Sequence, residues 1–139
     1  MDSSKDVRIT VEPPARYEEV FRLYQELNWD SLGLTVAELQ NMCQQSWYVL
    51  YAHQGNKLVG MGRIVSDGVI TGLICGVGVL PSYQGVGIGR MLMNGLIEQC
   101  DHHRIIPQLM CTEDLESYYE AMGFKKFAIG MTRERKKES

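Results

Sequence analysis

The sequence predicts a mixed α/β fold in a single domain. The expected element order is β-α-α-β-β-β-α-β-α-β, with a mostly antiparallel central sheet and helices on both faces. Three observations carry this. Apolar residues recur at period two in some stretches and at helical spacing in others, and the two kinds interleave along the chain. Three strands follow one another between Trp47 and Leu80 with short turns between them, which makes them antiparallel neighbours. A helix-length crossover then separates Leu80 from the next strand, which must return parallel. The 139 residues suit one domain with a real core.

Residues 1–6 and 133–139 are polar or charged and read as flexible tails. Val7, Ile9 and Val11 alternate with Arg8 and Thr10, a half-buried strand that Pro13-Pro14 ends. Tyr17, Val20, Phe21, Tyr24 and Leu27 fall on one side of a helix. After the break at Asn28 to Gly33, Thr35 and Glu38 have the spacing of a capping box, and the second helix runs to about Gln44. Trp47 to His53 and Leu58 to Ser66 are strands about the turn Gln54-Gly55-Asn56. Asp67-Gly68 has the form of a two-residue type I′ hairpin, from which Val69 to Leu80 returns as a long apolar strand. Gly89 to Cys100 is the main helix, with Met91, Leu92, Leu96 and Cys100 inward. A strand beginning properly at Gln108, a short helix from Asp114 to Met122 closed by Gly123, and a last strand from Phe124 to Met131 complete the pattern.

Composition excludes several function classes. Apolar residues make up 45% and net charge is −3, so nothing points to nucleic acid or to an anionic membrane. No apolar run approaches the roughly 20 residues of a membrane helix. The four cysteines, Cys43, Cys75, Cys100 and Cys111, include no C-x-x-C pair; we read them as reduced, with Cys75 and Cys111 as small hydrophobes within apolar runs. With a polar N-terminus that is no signal peptide, a cytoplasmic location is expected. His102 and His103 match no zinc spacing; they suit a helix C-terminus, and no metal is expected. Met61, Met91, Met93, Met110 and Met122 read as core filler.

One stretch organises the chain. In Val77-Gly-Val-Leu-Pro-Ser-Tyr-Gln-Gly-Val-Gly-Ile-Gly89, an apolar strand stops at Pro81, and glycines follow at 85, 87 and 89 before a helix. Unpaired N–H groups and a partial positive charge at a helix N-terminus, approached through glycines, suit a phosphate. Neither the Rossmann G-x-G-x-x-G nor the P-loop spacing fits. Gln84-x-x-Gly87-x-Gly89 does resemble the acetyl-CoA signature of the GNAT N-acetyltransferase superfamily, Gln/Arg-x-x-Gly-x-Gly/Ala. Val77 to Pro81 is similar to the Val-x-Val-x-Pro that precedes it in that family, and Tyr119 to Phe124 to its Tyr-x-x-x-Gly-Phe. The resemblance covers about residues 47–130.

The resemblance implies a GNAT-like fold. Its parallel strands, around Val77 to Leu80 and Gln108 to Cys111, splay apart to admit the pantetheine arm of acetyl-CoA. It implies that Val77, Gly78 and Val79 offer backbone to that arm. Gln84, Gly85, Val86, Gly87, Ile88 and Gly89 face the pyrophosphate; Arg90, at the first helical turn, either adds a charge there or is a solvent-facing helix residue. It implies direct acetyl transfer from the thioester to an amine, with Tyr119 protonating the departing thiolate. Homodimers are frequent in the family. The chain departs from the family pattern twice. Gly76 stands where many members carry a carboxylate base, leaving water, Asp67, Glu113 or Asp114 to take the amine proton. Thr112 to Leu115 lacks the asparagine that contacts the cofactor in many members. The acceptor is expected at the loop Asn28 to Gly33, where the face of Trp29 and the charge of Asp30 suit an organic cation; an aromatic wedge beside a helix-breaking turn is the alternative reading of the same residues. A non-catalytic acyl-CoA sensor or partner-binding module on the same fold is the competing reading.

Overall fold

A computed structural model describes residues 6–136. The chain divides into two compact units, Met1–Gln108 and Leu109–Ser139.

In the first unit, β1 (Val7–Thr10), α1 (Glu18–Glu26), α2 (Val36–Gln45), β2 (Tyr48–Gln54), β3 (Lys57–Val65), β4 (Thr71–Val79), α3 (Ile88–His102) and β5 (Ile106–Gln108) follow the expected order. The sheet order is β1-β2-β3-β4-β5. The pairs β1–β2, β2–β3 and β3–β4 are antiparallel, and β4–β5 is parallel. The expected crossover therefore forms, with α3 as its helix.

Each helix shows why its residues fold as they do. The Thr35 hydroxyl accepts from the Glu38 N–H at 3.1 Å while the Glu38 carboxylate accepts from the Thr35 N–H at 2.9 Å, so the capping box is present. Thr35→Ala should lower stability by about 1 kcal/mol, read as a fall in the urea midpoint with an unchanged slope. Helix α3 buries Ile88, Leu92, Leu96 and Cys100 at four-residue intervals, with Met93 beside them. Met91, expected inward, lies 37% exposed, because the buried stripe runs through Ile88 and Met93 instead. A Cβ on Gly62 would stand 2.9 Å from Leu96 Cδ1, and one on Gly95 2.6 Å from Leu50 Cδ1. Glycine at both positions thus lets α3 lie close on the sheet. Helix α1 buries Val20, Leu23 and Tyr24 against the opposite face of the sheet.

Three expectations need correction. The β3–β4 connection is not a two-residue type I′ turn. It spans Ser66 to Ile70, and only Gly68 has positive φ, whereas type I′ needs two such residues. Side chains shape this loop: the Asp67 carboxylate accepts from the Val69 N–H at 2.9 Å, and the Ser66 hydroxyl accepts from the Gly68 N–H at 2.9 Å. Strand β5 begins at Ile106 rather than Gln108. Pro107 is tolerated because β5 is an edge strand, where a missing N–H breaks no ladder.

The third correction falls in the second unit. After a single 3-10 turn at Glu113–Leu115, α4 covers Glu116–Glu120, and Gly123 closes it at φ +96°. The expected strand from Phe124 to Met131 is not formed. Phe127, Ile129 and Met131 alternate as a strand would but are exposed. A strand exists through its ladder, and among the described residues this unit contains no second strand to pair with. Cys111 and Met110 are likewise exposed rather than core. All four cysteines are free.

Candidate functional site

The candidate site in the first unit begins at a defect in the sheet. Met61 pairs with Gly78 and Arg63 with Cys75, so Gly62 of β3 faces two residues of β4, Gly76 and Val77. Gly76 takes the extra residue at φ +62°, which glycine adopts without the strain of a side chain. Below this bulge, β4 pairs with β5 at only three positions, Thr71 with Ile106, Gly72 with Pro107 and Leu73 with Gln108. From Ile74 to Val79, the edge of β4 away from β3 has no strand partner among the described residues. Among the described residues, the outer backbone groups of Val77 and Gly78 therefore have no strand partner, while the Val79 carbonyl accepts from the Gln84 side chain.

That open edge leads directly into the glycine loop. Leu80 ends the ladder with its N–H on the Val59 carbonyl at 2.8 Å, and Pro81–Tyr83 makes a 3-10 turn. Gln84 ties the loop to the strand, its side-chain Nε2 donating to the Val79 carbonyl at 2.9 Å. The Tyr83 hydroxyl bonds the Gln54 side chain. Gly87 is the N-cap of α3 at φ +93°, with nothing within 4 Å of where a Cβ would stand. No side chain caps this helix. Among the described residues, no hydrogen bond uses the backbone N–H groups of Gly85, Val86, Gly87, Ile88, Gly89 and Arg90. Ile88 anchors the turn in the core, whereas Gly85, Val86, Gly87 and Arg90 are exposed. The result is a row of unsatisfied donors on a helix N-terminus, fixed at one end by a buried isoleucine and at the other by Gln84.

The α1–α2 loop reaches the other side of the same strand. Asn28 takes φ +59°, and the N–H groups of Asn28 and Trp29 bond the carbonyls of Gln25 and Tyr24. This Schellman closure turns Trp29 back on its own helix. Its ring stands edge-on to Tyr24, with centroids 5.2 Å apart, and reaches within 2.5 Å of where a Cβ on Gly78 would lie. Gly78 is therefore the seat of the Trp29 ring as well as part of the open edge. Asp30 is exposed, and its carbonyl accepts from the Gly33 N–H. Of the candidate bases, Asp67 sits in the turn before Thr71, at the end of β4 remote from the glycine loop.

Sequence reasoning passed over two residues here. A Cβ on Gly76 would stand 3.3 Å from both the Arg63 Nε and the Tyr24 hydroxyl. Burial pushes the Tyr24 hydroxyl up from its ordinary pKa, and the Arg63 charge pulls it partly back. The available signal was Arg63 itself, the one charge inside the apolar run Leu58 to Val65.

In the second unit, Tyr119 lies in α4 with its ring edge-on to Tyr118 at 5.1 Å and to Phe124 at 6.2 Å. Its hydroxyl has no hydrogen-bond partner among the described residues. Burial, then Tyr118 and Cys111, raise its pKa above the ordinary value, so it holds its proton through the neutral range. Among the described residues, no three metal-ligating side chains cluster, and no helix is long and apolar enough to cross a membrane.

Comparison with known proteins agrees with the fold. The family model described as acetyltransferase (GNAT) family matches residues 13–124. GCN5-related N-acetyltransferase 3, chloroplastic, from Arabidopsis thaliana is 35% identical over 77 residues, which are 55% of this chain and 32% of that protein. The uncharacterized N-acetyltransferase ycf52 of Pyropia yezoensis is 35% identical over 77 residues, 55% of this chain and 44% of that one. The matches thus span less than half the length of these relatives. Among solved structures, an acetyltransferase from Trypanosoma brucei superposes with a TM-score of 0.77 at 23% identity, covering 94% of this chain and 100% of that one. A GNAT-family acetyltransferase from Streptococcus pneumoniae gives 0.68 at 28% identity, covering 92% and 99%.

Proposed function

Because the chain belongs to the acetyltransferase (GNAT) family, we propose that it is an N-acetyltransferase that moves an acetyl group from acetyl-CoA to a primary amine by direct attack in a ternary complex. The carrying observation is the row of unpartnered N–H groups from Gly85 to Arg90, continuous with the open edge of β4. The family match crosses both compact units, which supports reading the chain as one acetyl-transfer domain.

The loop donors and the partial positive charge of α3 suit a pyrophosphate, and Arg90, exposed at the first helical turn, adds a charge-assisted contact. Val77, Gly78 and Val79 offer backbone to the pantetheine amides. Acetyl-CoA supplies the activated thioester. The amine nitrogen bonds the acetyl carbon, the carbon–sulfur bond breaks, one proton leaves the amine and one reaches the thiolate. Tyr119, neutral and half-buried, is the donor of the second proton. Gly76 offers no carboxylate for the first, which passes to water or to Glu113 or Asp114. The ring of Trp29 and the carboxylate of Asp30 border the acceptor. The free thiols suit a reducing compartment, the cytoplasm or a plastid.

A thermal shift tests the cofactor assignment. At about 100 times its Kd, acetyl-CoA or CoA should stabilise the protein by about 2.7 kcal/mol, with ATP giving no comparable effect. No shift with millimolar acetyl-CoA would remove the assignment.

A further inference from the structure

Arg63 is a charge without a counter-charge. It sits half-buried in β3 between Gly62 and Ile64, both buried. Its guanidinium lies beside Tyr24 and Gly76, and Nη1 reaches the Ser46 hydroxyl at 3.5 Å. Its Nε is shielded from solvent and has no hydrogen-bond partner. Among the described residues, no carboxylate pairs with it. A cation under a sheet, flanked by Tyr24, Cys43 and Cys75, is costly unless something completes it.

Gly76 carries no side chain at the point nearest Nε, and from Ile74 onward the outer edge of β4 is unpaired. An acceptor lying at this edge would meet the Arg63 guanidinium.

We propose that Arg63 is the anion-recognising residue of the acceptor subsite, so that the preferred acceptor carries a carboxylate or a phosphate beside its amine. This rests on the acetyltransferase reading and narrows its substrate class. The Arg63 charge binds the acid group, and the edge-on rings of Trp29 and Tyr24 wall the subsite. Arg63 is thus a specificity residue, separate from the loop that takes the pyrophosphate.

Matched acceptors test this. Ethanolamine, serine and phosphoethanolamine share a two-carbon amine and differ in having no acid, a carboxylate or a phosphate; 1,5-diaminopentane and lysine repeat the comparison at a longer spacing. Acetylation is followed by thiol release, and acceptor binding by thermal shift in the presence of CoA. We expect at least one acid-bearing acceptor to exceed its neutral partner tenfold or more in kcat/KM. Arg63→Gln should erase that margin through KM, with the acetyl-CoA shift unchanged. Arg63→Lys, which keeps the charge, should recover part of it and serves if the glutamine variant fails to fold. Serine ahead of phosphoethanolamine identifies a carboxylate, and the reverse a phosphate. Equal use of acid and neutral acceptors, or a preference that survives in Arg63→Gln, overturns the proposal. So does an acetyl-CoA shift accompanied by no binding or acetylation of any acid-bearing acceptor; that result leaves the cofactor assignment standing. Loss of the acetyl-CoA shift in the unaltered protein removes the acetyltransferase reading itself.

Discussion

Tyr119→Phe should lower kcat about a hundredfold while leaving the acetyl-CoA affinity and the melting temperature close to those of the parent protein. A positioned general acid typically contributes 10²- to 10⁴-fold, and a thiolate is a good enough leaving group to place the loss near the lower end. The substitution removes only a hydroxyl that bonds no described group, so the ring contacts with Tyr118 and Phe124 survive. The pH dependence carries the same signature. The raised pKa of Tyr119 keeps the phenol protonated beyond the ordinary tyrosine range, so its ionisation should limit the rate only at strongly alkaline pH. In Tyr119→Phe that alkaline limb should vanish. An unchanged kcat in the phenylalanine variant would take the acid role from Tyr119 and give weight to the non-catalytic reading.

Gly87→Val should abolish measurable acetyl-CoA binding at concentrations that saturate the parent. Two effects add. A β-branched residue at φ +93° costs about 1–3 kcal/mol in backbone strain. Its side chain would also project from the N-cap of α3, where a pyrophosphate must approach the free N–H groups of the loop. Gly33→Val separates the two. Gly33 is also left-handed, at φ +64°, with nothing within 4 Å of a Cβ, but it lies in the α1–α2 loop. It should lose similar stability and keep the acetyl-CoA shift. Equal loss of binding in both variants would mean that strain alone was measured.

Most of the fold could be read from local chemistry. The capping box at Thr35, the stop at Pro81, the glycine that closes α4 and the parallel return after α3 each depend on residues close together in the chain. The failures have two causes, dependence on a distant partner and side chains that hold a turn. Whether Phe127, Ile129 and Met131 form a strand is decided by a neighbour, not by their alternation. The Asp67-Gly68 pair looked like a hairpin because the Ser66 and Asp67 side chains, which actually hold the turn, were not weighed. The same division holds at the site. The glycine loop is a contiguous motif and was visible. The Arg63–Tyr24 pairing joins residues 39 apart in the sequence, and no spacing rule connects a strand arginine to a helix tyrosine. The Trp29 loop was found for its composition, but its seat on Gly78 required the strand to be in place.

The bulge at Gly76 also bears on strand-to-strand aggregation. A sheet edge with free N–H and C=O groups is a template for another chain, and aggregation begins at such templates. The proposed acetyl-CoA site uses that edge of β4. The added twist of the bulge denies a foreign strand the flat register it would need, while a flexible ligand bonding at a few points is not excluded. On the outer strand β5, Pro107 serves the same end by withholding a donor. Local distortion at Gly76 and Pro107 therefore makes β4 and β5 poor templates for a foreign strand.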